Sequence, residues 1–381
     1  MRRLLWLLPL LGGTLSAQDD LIPPRMDYFP YLLGDPNHGV LVIGHWQYAR
    51  QAEYESRHPH DYYLGIEAAW GSRGSRSLTA KFRAPGLVPE WRFAADVGAV
   101  REGRFGYYGL GPEGDAGLDP DAFPTDYFRT RRTQYYGRAE VTRRIAGPLH
   151  GAVAAGITGF RFRPVTEESL FQSDHGEEPL EGTDATARLS LIVDTRNNEL
   201  IPARGVLLEA GVLGGTGRFC PSPCGSGYAG VYGNARGYFS PRRGIVFAGR
   251  AAFRTMGNNA PLDSRYEFPG WERDLSAFGG FDSHRGYVRG RLVGSRAVLT
   301  SAEVRYDLVD GGDYGALTLL AFVDGGGVYN PDGAGGTTFS GWKTSFGSGF
   351  ALRILRQAII TLHFARGPDG FNFTSGIGWS F

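Results

Sequence analysis

Arg285 is the residue around which the chemistry of this sequence gathers. It lies in Phe278-Gly279-Gly280-Phe281-Asp282-Ser283-His284-Arg285-Gly286-Tyr287, inside a long stretch without strand-like alternation. Downstream, Glu303 stands in Ser301-Ala302-Glu303-Val304-Arg305-Tyr306 and Asp324 in Ala321-Phe322-Val323-Asp324-Gly325-Gly326. A guanidinium is planar and offers forked donors, so one arginine can hold two carboxylates at once, a geometry lysine does not reproduce. The chemistry on offer is therefore an ion-pair clasp. Gly286 permits a tight tip or a positive φ, and Tyr287 can pack beside it. The competing reading is a solvated arginine on a mobile loop.

Other reactive side chains offer less. Ser283, His284, His363 and nearby acids include the residue types of a catalytic set, but their spacing gives no nucleophile, base and orienting group in sequence. His363 reads as an ordinary residue of a strand's polar face. Cys220 and Cys224, in Phe-Cys-Pro-Ser-Pro-Cys-Gly, fit a small loop disulfide in an oxidising compartment. Two thiols without nearby histidines make at most half a metal site. No metal and no cofactor is expected. Net charge is +1, with no basic excess that would point to nucleic acid.

The elements that must position these residues are β-strands. The chain ends Phe371-Asn-Phe-Thr-Ser-Gly-Ile-Gly-Trp-Ser-Phe381. Phe371, Phe373, Ile377, Trp379 and Phe381 fall on one strand face, and Asn372, Thr374, Gly376, Gly378 and Ser380 on the other. Alternation over about ten residues is what a membrane-crossing strand requires. Upstream, Phe247 and Phe253 alternate with Arg250 and Arg254, Leu189 and Leu191 with Arg188 and Ser190, and Ile360 and Leu362 with Thr361 and His363. No segment after the N-terminus has about 18 consecutive apolar residues. A membrane protein of this kind must be a closed barrel, because only helices and barrels satisfy their backbone in lipid. The 58 glycines in 381 residues, about twice the usual share of roughly 7%, fit that class, as do the many aromatic residues.

Fifteen alternating segments can be placed between 40–50 and 371–381, and Tyr28–Leu33 is the candidate for a sixteenth. The predicted fold is all-β, a transmembrane antiparallel barrel of sixteen strands, since bacterial single-chain barrels have an even number. Counting back from Phe381 puts the short connections 85–89, 146–148, 241–242 and 355–356 on one side. The long ones, 102–131, 164–183, 215–227, 256–295 and 330–343, fall on the other, as periplasmic turns and external loops should. Connections 51–60 and 195–203 are too long for this rule. At the N-terminus, Arg2 and Arg3 precede an apolar stretch from Leu4 to Leu11, and Leu15-Ser16-Ala17 gives a cleavage site before Gln18. The expected organisation is a signal peptide over 1–17, a short periplasmic segment over 18–27, and the barrel over 28–381.

The Arg285-Gly286-Tyr287 triplet resembles the hallmark of the sixth extracellular loop in the BamA/TamA superfamily of outer-membrane barrels, the bacterial surface antigen barrels. The segments around Glu303 and Asp324 resemble the strands that receive that arginine. Asp194-Thr195-Arg196-Asn197 with Pro202-Ala203-Arg204-Gly205 resembles a family turn, and Tyr107-Tyr108-Gly109-Leu110-Gly111 a further family segment. His284 departs from the aliphatic residue usual before the arginine. The terminal aromatic strip, Phe373, Ile377, Trp379 and Phe381, resembles the assembly signal of outer-membrane barrels.

The resemblance implies a long loop folded into the lumen and locked by Arg285, Gly286, Tyr287, Glu303 and Asp324. It implies Gram-negative outer-membrane localisation, with outer-membrane lipid as solvent and the barrel assembly machinery for the protein's own insertion. The implied role is assisting insertion or translocation of unfolded outer-membrane or secreted proteins, through a seam between first and last strands. The ten or so residues between Ala17 and the first strand leave no room for periplasmic POTRA domains, since a domain needs about 50 residues. A separate periplasmic delivery protein is then expected. Gly376 and Gly378 either weaken the seam or are ordinary strand glycines. Two other classes compete: a passive or gated pore, lined by Arg188, Arg250, Arg254 and Arg305, and an outer-membrane enzyme.

Overall fold

The computed structural model describes residues 23–381 except 54–55, 111–122, 125, 218–226, 272–273, 275–277, 330–341 and 355–357. Residues 1–22, with the expected signal peptide, and both Cys220 and Cys224 lie outside the described residues.

Sixteen strands follow one another in chain order and in space. They are β1 (Arg25–Asp35), β2 (Gly39–Gln51), β3 (His60–Gly71), β4 (Arg76–Val88), β5 (Trp91–Gly106), β6 (Arg129–Ala146), β7 (Leu149–Pro164), β8 (Leu180–Asp194), β9 (Gly205–Gly215), β10 (Tyr228–Arg242), β11 (Ile245–Met256), β12 (Arg296–Asp310), β13 (Gly315–Tyr329), β14 (Lys343–Ile354), β15 (Ala358–Gly367) and β16 (Gly370–Ile377). One short helix, α1 (Leu170–His175), lies in the β7–β8 connection. Each strand pairs antiparallel with its neighbours, forming a nearly closed barrel. No helix among the described residues is long and apolar enough to cross a membrane. The crossing elements are strands.

The two-residue period decides which side chains face out. In β12, Ala297, Leu299, Ser301, Glu303 and Arg305 are buried, while Val304 and Tyr306 are exposed. In β14, Ser345 is buried and Phe346, Phe350 and Leu352 are exposed. The same alternation exposes Leu189 and Leu191 on β8 and Phe247 and Phe253 on β11. Large apolar groups exposed around the outer wall are what a lipid-facing surface requires. The inner face carries polar and charged groups, buried against segments that fill the interior.

Three features differ from expectation. The first strand is not short: it runs eleven residues from Arg25, in full register with β2. The segment Tyr28–Leu33 left out Arg25–Asp27 and Gly34–Asp35, because Phe29, Tyr31 and Leu33 place apolar groups on the same face as Arg25 and Asp27 and blur the alternation. The last strand ends at Ile377 rather than Phe381. Gly378 adopts φ +90°, a conformation that favours glycine, and the chain turns inward there. Its N–H donates to Ile359 O at 2.7 Å, and Thr361 Oγ1 donates to Gly378 O at 2.8 Å. Phe381 is consequently buried, packed with Tyr238 and Ala248, rather than facing outward with Phe371 and Ile377.

The third concerns the two over-long connections on the short-turn side, which brace each other. Glu199 N–H donates to Arg57 O at 2.8 Å, and Arg57 Nη2 donates to Asp194 O at 3.1 Å. Within the family-like turn, Asn197 Oδ1 accepts from the backbone N–H groups of Ala203 (3.0 Å) and Arg204 (2.8 Å). Leu200, Ile201 and Trp379 pack against Leu320, Ala351 and Ile359. The described residues of the two connections thus cover one end of the barrel.

Candidate functional site

The described residues of the β11–β12 connection (within 257–295) meet inward-facing side chains of β6, β8 and β9 through Asp263, Trp271 and Asp274, and those of β11 to β16 nearer the tip. Its inner tip is a tight hairpin. Gly280 N–H donates to Tyr287 O at 2.8 Å, and Ser283 Oγ accepts from Gly279 N–H at 2.8 Å while donating to Gly279 O at 2.9 Å. Gly279 and Gly280 supply the positive φ values, +102° and +90°. Phe278 anchors the hairpin base among Phe268, Leu292, Ala297, Leu299 and Val328.

Arg285 sits at the tip with no solvent exposure. Its Nε and Nη2 donate to Asp324 Oδ2 and Oδ1 at 2.9 and 2.8 Å, a two-point fork, and its backbone N–H also reaches Asp324 Oδ2 at 2.9 Å. Nη1 pairs with Glu303 Oε2. The guanidinium lies 3.5 Å from the Phe322 ring centroid, a cation–π contact. Glu303 is shared: Arg305 Nε donates to its other oxygen at 2.8 Å. Two arginines and two carboxylates thus neutralise one another in a buried cluster, as buried charge requires.

Gly286 has its own reason for being glycine, and it is not a positive φ. A Cβ built there would overlap the Ser345 side chain on β14. Gly286→Ala is expected to push the tip off β14 and cost about 1–3 kcal/mol, as overpacking does. A urea titration of the folded barrel checks this, and a midpoint equal to wild type would contradict it. Tyr287 is fully buried, edge-on to His284 at 4.8 Å. His284 is buried as well. Its ring shares a hydrogen bond with Ser345 Oγ at 3.1 Å and lies 3.2 Å from Lys343 O. Polar partners on β14 thus let an imidazole occupy a place that would suit an aliphatic group.

Several residues holding this loop were missed as such. Arg250 donates to the carbonyls of Asp282 (2.6 Å) and Ser283 (3.2 Å), and Arg254 to those of Ser264 (3.2 Å), Arg265 (2.9 Å) and Gly294 (2.5 Å). Their place on the inner face was legible, but they hold loop backbone and do not line an open channel. Asn372 Nδ2 donates to Arg285 O at 2.8 Å and Tyr287 O at 2.9 Å, which ties the tip to the last strand. Phe281 of the tip lies where a Cβ at Gly376 would stand, 2.7 Å from its ring, so Gly376 is glycine for close approach.

The inward-turned tail completes the cluster. Arg305 Nη2 donates to Phe381 O at 3.0 Å and Arg250 Nη1 to Ser380 O at 3.3 Å. The Arg305 guanidinium lies 4.1 Å from the Trp379 ring and that of Arg250 4.7 Å from the Phe381 ring. The four aromatic-strip residues therefore separate. Ile377 is exposed and Phe373 half-buried on the outer wall, whereas Trp379 and Phe381 belong to the interior.

The remaining feature is the seam. No backbone ladder joins β1 and β16 among the described residues. Instead the Ser375 hydroxyl accepts from Gly34 N–H at 2.8 Å and donates to Gly34 O at 2.9 Å. A hydroxyl can do both at once, so one side chain imitates one rung of a ladder.

A barrel of sixteen antiparallel strands, an inward loop with a buried arginine, and a weakly joined first and last strand now stand together. The Omp85 superfamily domain matches residues 62–379. The chain belongs to that superfamily. Omp85 barrels are bacterial outer-membrane proteins of an insertion and transport family. No curated protein matches the chain. Among solved structures, the fold is similar to BamA from Haemophilus ducreyi lacking POTRA domains 1–3, with TM-score 0.57, 12% identity, and coverage of 95% of this chain and 71% of that one. It is also similar to CdiB from Escherichia coli, with TM-score 0.54, 11% identity, and coverage of 93% and 67%. At these identities the likeness is one of fold. The matched Omp85 region includes the arginine clasp and all of β4 to β16.

Proposed function

We propose that this Omp85 barrel resides in the outer membrane and assists insertion or translocation of polypeptides there, handling them at the seam between β1 and β16. The observation that carries the proposal is the seam itself. Fifteen strand junctions are backbone hydrogen-bonded ladders, and the sixteenth is bridged through one serine hydroxyl. A strand edge with unpaired backbone is a template for another strand. An unfolded polypeptide can take the place of one partner at little cost in broken bonds.

Arg285, Gly286, Tyr287, Glu303 and Asp324 act in this proposal as a lock. They hold the loop tip against β12 to β14, while Asn372 extends the hold to β16. One side of the seam is thereby braced and the other left free to move. Phe373 and Ile377 remain on the lipid-facing wall as part of the terminal assembly signal, with lipid and unfolded polypeptide as the partners. Export by a cleaved leader over 1–17 belongs to the same proposal. No catalysis is assigned: Ser283 Oγ is engaged with Gly279 in the hairpin, and His284 is engaged with β14.

The test is whether liposomes containing the purified barrel speed the folding of a separate outer-membrane protein. Acceleration that depends on an openable seam supports the role. A barrel that folds fully and accelerates nothing would remove it, and a conductance of porin size would then favour the pore.

A further inference from the structure

On the outer wall of β4 to β7, arginines face one another where lipid-facing groups are expected. Arg76 stands directly opposite Arg101 in the β4–β5 register, and Arg131 directly opposite Arg163 in the β6–β7 register. Arg76 and Arg101 are in phase with the exposed Leu78 and Val97. Arg131 and Arg163 are in phase with the exposed Tyr135 and Ile157. All four therefore project outward. Like charges directly opposite across a ladder destabilise it. None of the four makes an ion pair with a described residue; nearby, Arg161 alone pairs with an acid, Glu181.

The band is shaped as well as charged. It lines a groove of about 1150 Å³ on the outer wall. Arg76, Arg101 and Arg161 form a tier, because Arg101 and Arg161 both register with Thr133. Arg131 and Arg163 stand two residues further along, about 7 Å at strand rise. Both tiers lie next to the long connections that follow β5 and β7. On the other side, the groove floor is Leu78, Ala99, Tyr135 and Gly159. Trp70, directly opposite Arg76 in the β3–β4 register, and Tyr135 are exposed within the groove, the residue types that settle at a membrane–water interface.

We propose that this band binds a phosphorylated glycolipid of the outer leaflet, with headgroup phosphates on Arg76, Arg101, Arg131 and Arg163 and acyl chains along the apolar wall below. Arginine forks match phosphate oxygens in pairs, and an anion between the facing arginines removes their repulsion. A free soluble anion accounts for the charge but not for the apolar floor beneath it. The inference rests on the outer-membrane reading for its orientation only.

Delipidated, refolded protein in neutral detergent is titrated with bis-phosphorylated lipid A, its dephosphorylated form, and inorganic phosphate, with adducts read by native mass spectrometry. Saturable one-to-one binding of lipid A is expected, weaker by at least about tenfold for the dephosphorylated lipid and for Arg76→Gln/Arg101→Gln/Arg131→Gln/Arg163→Gln, a factor of ten being about 1.4 kcal/mol. Inorganic phosphate is expected not to compete. Arg101→Gln alone, at the centre of the band, is expected to weaken binding several-fold and serves if the fourfold variant does not fold. Equal affinity for both lipids, unchanged affinity in the folded variants, or competition by inorganic phosphate would each overturn the proposal. Because binding is read on the purified barrel, failure here in a protein that fractionates with outer membranes would leave the localisation standing.

Discussion

Arg285→Ala is expected to lower the stability of the folded barrel by about 3–5 kcal/mol, the loss typical when one member of a buried charge cluster is removed. The two carboxylates do not suffer equally. Glu303 keeps Arg305 as a partner at 2.8 Å, whereas Asp324 loses its two-point fork and retains the backbone N–H at position 285. Asp324→Asn added to Arg285→Ala should therefore restore more stability than Glu303→Gln added to it. Arg285→Lys should recover little, because an ammonium cannot span both oxygens of Asp324 while reaching Glu303. Urea midpoints of refolded protein, read through heat-modifiable migration, give these differences. An alanine variant within about 0.5 kcal/mol of wild type, the range of ordinary surface changes, would mean that the clasp does not hold the loop.

Phe381→Ala should cost about 3–5 kcal/mol, as truncation of a buried phenylalanine does. The ring fills a site between Tyr238 and Ala248 under the Arg250 guanidinium, and its loss leaves a cavity there. This expectation separates two roles for the terminal aromatic residue. If Phe381 served only as a recognition mark during assembly, the variant would fail in cells yet refold in detergent with an unchanged midpoint. If it is part of the interior, the midpoint falls in purified protein where no assembly factor is present. A purified variant as stable as wild type would contradict the packing role.

Most of the barrel was legible because lipid on one side and a polar interior on the other impose a period of two. Leu189, Leu191, Phe247 and Phe253 obey it, and so do Glu303 and Asp324 on the opposite face. What the period cannot register is a change of direction. Apolar residues continue at alternate positions through Trp379 and Phe381, so the turn at Gly378 left the pattern intact while reversing its meaning. The ends of β1 were obscured for a different reason: Phe29, Tyr31 and Leu33 share a face with Arg25 and Asp27, so the period of two is blurred on that face.

The arginine clasp was readable from strand parity and the family-like triplet together. Arg250, Arg254 and Asn372 were not readable as loop supports, because they donate to backbone carbonyls, and a carbonyl leaves no complementary residue type in the sequence. The glycolipid band likewise depends on register. Arg76 and Arg101 lie 25 positions apart in the chain, and only the β4–β5 pairing sets them face to face.

The central claim, that polypeptide is handled at the β1–β16 seam, is tested most directly by closing it. Gly34→Cys and Ser375→Cys, placed in a Cys220→Ser/Cys224→Ser background, can be oxidised to a disulfide where the serine now bridges the strands. Liposomes containing this barrel are mixed with a second, unfolded outer-membrane protein, and its folding rate is measured before and after reduction. The account predicts acceleration by wild type and by the reduced pair, and a fall to the rate of empty liposomes on oxidation. A disulfide-closed barrel that accelerates folding as well as the reduced one would contradict it.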